Sequence, residues 1–73
     1  MEQFYEQLAE ALELDNVTAG DVLADFEEWD SLSVLSVIAM IGRNYGVHLT
    51  ARDIRQVTTA EQLRDLILAK RVN

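Results

Sequence analysis

Apolar residues recur along this chain at helical spacing, in three blocks separated by one long break and one short one. In MEQFYEQLAEALEL, Phe4, Tyr5, Leu8 and Leu12 fall on one face, with Glu6, Glu10 and Glu13 elsewhere. The pattern predicts an amphipathic helix over about residues 2–14. The period then lapses through DNVTAGDVLADFEEWD. This reads as a connection of roughly 15 residues, a length that in a compact domain usually goes with function. Its Val17, Val22, Leu23, Phe26 and Trp29 argue that it packs on the core. Periodicity returns at Asp30 or Ser31 and runs to Tyr45, where Gly46 is the expected stop. Asp30 is a good N-cap, since its carboxylate accepts from free backbone N–H groups and faces the positive helix end. Trp29 and Val34 occupy the two positions of a hydrophobic staple. Thr50 is placed to cap a brief helix at about 51–56. Thr59 and Gln62 form a capping box ahead of a last helix. There Leu63, Leu66 and Ile67 make the buried stripe, and Lys70 and Arg71 occupy the last turn, where cations are favoured. No strand-like alternation competes. The expectation is an all-α domain spanning residues 1–73: a small four-helix bundle of three main helices and one short one, with a long loop between helices 1 and 2.

The second helix carries more apolar surface than a core needs. At about 100° per residue, Val34, Val37, Ile38, Ile41 and Tyr45 share one narrow stripe. Ser33, Ser36, Arg43 and Asn44 lie roughly opposite. Leu32, Leu35 and Ala39 fit neither group and form a second patch beginning one residue after Ser31. Either the long loop folds over that patch and buries it, or the patch is an exposed docking surface.

Composition narrows the field. The 73 residues contain no Cys and a single His48, which excludes disulfides, thiolate metal sites and histidine metal clusters. With 49% apolar residues the chain has the means to build a core. No apolar run approaches the roughly 20 residues of a membrane span, and the acidic start MEQFYEQ is unlike a signal peptide. A cytoplasmic monomer is expected. Charge is segregated. Residues 1–42 hold ten acids and no Lys or Arg, while residues 43–73 hold three acids against six bases. The net charge of −7 thus divides into −10 and +3. The acidic part repels nucleic-acid phosphate and anionic lipid, and suits a protein partner with a basic patch.

Length, acidity, helix order, the long first loop and Asp30-Ser31-Leu32 at the start of the second helix together resemble the acyl carrier protein family. The resemblance covers nearly the whole chain. Its second anchor is YGVHLTARDIRQVTTAEQLRDLI, where Tyr45-Gly46 closes the second helix and Val57-Thr58-Thr59 precedes the last. The resemblance implies that Ser31 is the attachment point of 4′-phosphopantetheine, flanked by Asp30 and Leu32. A separate Mg²⁺-dependent phosphopantetheinyl transferase would move the group from coenzyme A. The arm would carry an acyl or aminoacyl thioester to acyl-loading, condensing or acyl-transfer enzymes of lipid or polyketide biosynthesis. The chain itself would not be an enzyme. The chemistry of the residues agrees. A helix N-terminus favours a phosphodiester anion. No visible base stands ready to activate the hydroxyl, which suits the substrate of an enzyme better than an enzyme.

The chain departs from the family pattern as well. Members serving fatty acid synthesis carry an acid right after the Leu and more acids along the second helix. Here Ser33, Ser36, Gly42, Arg43 and Asn44 stand in those places. The acids near Ser31 precede it, at Asp25, Glu27, Glu28 and Asp30. Docking would therefore combine Asp25, Glu27 and Glu28 at the helix entrance with Leu35 and Ala39 on its face, and partners would offer basic or apolar patches. This describes a specialised carrier with dedicated partners. The alternative is a helical adaptor that is never modified, with Asp30 and Ser31 as capping residues only. A Ser31–His48 hydrolase lacks an oxyanion-type Gly loop. A calcium loop at DNVTAGDVLADF fails because Val17 and Ala19 stand where ligands belong and Phe26 replaces the closing Glu.

Overall fold

The computed structural model describes residues 3–71. Four α-helices follow one another: α1 Phe4–Ala11, α2 Ser31–Tyr45, α3 Ala51–Arg55 and α4 Ala60–Lys70. A single 3₁₀ turn, Leu23–Asp25, interrupts the long connection. The described residues contain no β-strand, and the all-α expectation holds.

α1 ends three residues before the expected boundary, and its expected first residue lies outside the described range. The reason for the early end is local. Glu13 adopts φ 59°, the left-handed region that L side chains seldom enter. Its N–H bonds to the Glu10 carbonyl at 3.1 Å, and the Leu14 N–H bonds to the Ala9 carbonyl at 2.8 Å. These are the two bonds of a Schellman motif, made here without the usual glycine. The chain thereby turns away from α1 and buries Val17 and Leu23.

The connection is pinned to the start of α4. Val22 and Thr59 form an isolated antiparallel bridge, and the Leu23 N–H donates to the Thr58 carbonyl at 2.9 Å. The Ala60 and Glu61 N–H groups donate to the Asp21 and Ala19 carbonyls, each at 3.0 Å. The Gln62 N–H donates to Thr59 Oγ1 at 3.2 Å, and both halves of the predicted capping box form. Each N–H of the first turn of α4 thus has a partner, which a buried helix start requires. Thr50 caps α3 in the same manner, with Asp53 returning the bond in a box that spacing alone also spells.

The core gathers Phe4, Leu8 and Leu12 of the N-terminal segment, Leu23 of the loop, Val37 and Ile41 of α2, Ile54 of α3, and Leu63 and Ile67 of α4. α2 lies centrally, packed against α1 and α3. Its buried residues are Val37, Met40 and Ile41, while Val34, Ile38 and Tyr45 are half-buried. The core face is therefore rotated from the predicted stripe toward Met40. Packing explains the shift. α1 covers the Met40 side, and a recess between the two helices runs from Gln7 and Ala11 to Met40 and Asn44. Tyr45 ties α2 to α1, with its hydroxyl donating to Gln7 Oε1 and its ring edge-on to Phe4 at 6.0 Å. Gly46, at φ 68°, then ends α2 with its N–H on the Gly42 carbonyl.

Candidate functional site

Ser31 is the first residue of α2, and it is exposed. Asp30 precedes it with extended backbone, and its Oδ1 accepts from the Ser33 N–H at 2.9 Å. That donor holds the Asp30 carboxyl below the usual carboxylate range. The ionised cap and the positive helix end support one another, and Ser31 follows directly. The predicted staple residues Trp29 and Val34 are both half-buried and line one recess beside Ser31.

That recess encloses about 400 Å³ between α2 and α3. Its walls are Trp29, Asp30, Ser31, Val34, Leu35, Ala51 and Arg55. A second recess of about 360 Å³ lies on the other flank, lined by Glu28, Asp30, Leu32, Ser33 and Ser36 with Leu12 and Glu13 behind. Ser31 borders the first, and its neighbour Leu32 the second.

The long loop does not cover the second apolar patch of α2. Leu32 is 76% exposed and Leu35 58%. Ala39 is exposed too, so the three form open surface. With burial centred on Val37, Met40 and Ile41, steps of about 100° per residue put this patch across the helix from the core rather than beside it. The middle of the loop, around Ala19, Asp21 and Leu23, is instead bound to the start of α4. Asp25, Glu27 and Glu28 are exposed on its second half, leading into Asp30. The structure thus brings Asp30, Ser31 and Leu32 to one helix start, with acids before it and apolar side chains after it. Sequence reasoning missed Arg55. No spacing relates Arg55 to Ser31, and only the packing of α3 on α2 places both on one recess.

The fold and this exposed hydroxyl agree with a comparison against known families. A family model described as a phosphopantetheine attachment site matches residues 2–67. The chain belongs to the phosphopantetheine-attachment family. No curated protein and no solved structure matches it. Domains of this family are carriers that receive 4′-phosphopantetheine covalently and are not themselves catalytic. They meet a transferase and acyl-processing enzymes.

The residues present suit such a group. Covalent loading needs a hydroxyl that another enzyme can reach, and Ser31 is exposed on a helix start. The group adds a phosphodiester, and the cationic Arg55 lines the same recess. The rest of that recess is largely Trp29, Val34, Leu35 and Ala51, a surface suited to the less polar part of an arm. No described helix is long and apolar enough to cross a membrane.

Proposed function

We propose that Ser31 is the attachment residue and that this carrier holds an acyl or aminoacyl group as a thioester on its 4′-phosphopantetheine arm. The observation that carries the reading is the exposure of Ser31 at the first position of α2, directly after an ionised N-cap, in a chain of the phosphopantetheine-attachment family. Within the chain Ser31 is an acceptor only. The nearest carboxylate in sequence, Asp30, is committed to the Ser33 N–H, and its lowered pKa makes it a weaker base. The proton of the Ser31 hydroxyl must therefore leave to a base that the transferase brings. When bound, the group supplies a thiol that carries cargo.

Partner enzymes would dock on Leu32, Leu35 and Ala39, with Asp25, Glu27 and Glu28 steering basic surfaces toward the arm. Apolar contacts at the centre of such an interface would hold it, since α2 offers few charges along its open face. This arrangement supports a specialised carrier with dedicated partners in lipid or polyketide biosynthesis.

The test is intact mass after incubation with coenzyme A, Mg²⁺ and a promiscuous phosphopantetheinyl transferase. The wild type should gain one phosphopantetheinyl group. Ser31→Ala should gain none and remain folded, because Asp30 still caps α2. Equal labelling of Ser31→Ala, or no labelling of the wild type by an active transferase, overturns the assignment and leaves an unmodified helical adaptor.

A further inference from the structure

We infer that Arg55 is the counter-ion of the arm's phosphodiester, so that the loaded arm is seated in the recess between α2 and α3 rather than extended from Ser31 into solvent. The inference rests on Ser31 as the attachment residue. Loading bonds a phosphodiester to Ser31 Oγ and places its negative charge on the non-bridging oxygens of that phosphorus. That position already faces like charge. Asp30 is the preceding residue, and Asp25, Glu27 and Glu28 lie in the segment before it. The positive helix end offers only partial relief, because the Asp30 carboxylate already occupies the Ser33 N–H there. Residues 1–42 contain no Lys or Arg to offset the addition.

α3 supplies the missing charge. Among the six residues that line the recess with Ser31, Arg55 is the one cation. It is exposed at the C-terminal end of α3, and among the described residues no salt bridge engages it. Other candidates are worse placed. Arg43 lies on the opposite recess between α1 and α2, and Arg64 is paired with Asp65 at 3.2 Å. Arg52, on the same short helix, does not line the recess. A guanidinium meets phosphate oxygens through a planar fork of donors, a geometry that a lysine ammonium lacks. Once the phosphodiester is held there, the next atoms of the arm run along Trp29, Val34, Leu35 and Ala51, where apolar surface is available.

The experiment compares unloaded and loaded protein directly and needs no partner enzyme. The wild type, Arg55→Gln, Arg55→Lys and Arg52→Gln are each loaded on Ser31, and loading is verified by mass. The Arg side-chain Nε resonances and the thermal midpoint are then measured before and after loading, at low and high salt. In the wild type the Arg55 Nε resonance should move on loading while that of Arg52 stays. Loading should leave the wild-type midpoint unchanged or higher. It should lower the Arg55→Gln midpoint by a few degrees at low salt, the size expected of one exposed charge pair in a domain of this length. High salt should erase that drop. Arg55→Lys should show a smaller drop, and Arg52→Gln should behave as wild type. A loaded wild type whose Arg55 resonance does not move overturns the inference, as does a loading shift of Arg55→Gln equal to that of wild type. Failure of the wild type to load at all instead overturns the assignment of Ser31, so the two ideas fail separately. Addition of inorganic phosphate to the unloaded protein, at concentrations matching the loaded sample, should leave Arg55 unmoved, because the tether supplies the effective concentration. An equal shift with free phosphate shows a generic anion site and overturns the seating of the arm.

Discussion

α2 and α4 begin with the same device and use it for opposite ends. Asp30 and Thr59 each sit in extended backbone and accept from the N–H three residues on. Past the cap, the two starts diverge. Ala60, first residue of α4, is completely buried, and its N–H and that of Glu61 are taken by carbonyls of the long loop. Ser31, at the same position of α2, is exposed. A cap motif in sequence marks a helix start, but it does not say whether that start is a joint or a platform. What surrounds it decides: the loop closes on α4 and leaves α2 open.

The largest expected difference lies between the two faces of α2. Ile41→Ala truncates a fully buried side chain and should cost about 2–5 kcal/mol, read from denaturant melts. Leu35→Ser, on the open face, should stay within about 1 kcal/mol and yet slow loading of Ser31 or transfer of cargo. If Leu35→Ser unfolds the protein as badly as Ile41→Ala, the open face is core in solution and the docking account fails. Ile41, not the half-buried Ile38, is the proper reference here, because α1 draws the buried face of α2 toward Met40.

A matched pair at the two helix starts comes next. Ala60→Leu forces extra methylenes into a packed joint and should cost about 1–3 kcal/mol. Ser31→Leu at the equivalent exposed position should change stability by only about 0.5 kcal/mol while removing the hydroxyl. Equal costs would show that the start of α2 is as enclosed as that of α4.

These contrasts separate what could be read along the chain from what could not. Asp30, Thr50, Thr59 and Gly46 announce the helix boundaries because capping is local, confined to residues within one turn. The spacing of Leu32, Leu35 and Ala39 shows an apolar surplus on α2, but spacing alone leaves burial under the loop and exposure equally open. Other features depend on contacts between distant segments. The Val22–Thr59 bridge joins elements some three dozen residues apart. Met40 enters the core because α1 lies on that side. Arg55 reaches the recess through α3. The early end of α1 was hidden differently, since Glu13 takes a conformation for which glycine is the usual sign.

Acid should separate the two caps with a smaller effect. The Asp30 carboxyl is held below its ordinary range by the Ser33 N–H, so its contribution is fully present above the ordinary carboxylate value and is lost as pH falls through the lower folded value. The Thr59 hydroxyl does not titrate there. The Ser33 amide resonance should therefore follow a transition below the usual carboxylate range, while the Gln62 amide stays flat until global unfolding. A Ser33 transition at or above the ordinary value would remove the ionised cap from the description of the site.

Salt should produce the smallest effect. Ten acids without a base in residues 1–42, against one exposed Arg64–Asp65 pair among the described residues, predict a modest rise of the thermal midpoint with added salt. A falling midpoint would show that attractive pairs prevail.

Ser31, and no other hydroxyl, should receive the arm. The first trypsin site in the chain is Arg43, so residues 1–43 are released as one fragment containing Ser31, Ser33, Ser36 and Thr18. Tandem mass spectra of that fragment from loaded protein should place the phosphopantetheinyl mass on Ser31, with Ser33 and Ser36 unmodified. The same mass on Ser33, Ser36 or Thr18, or a fragment that never gains it, would contradict the account.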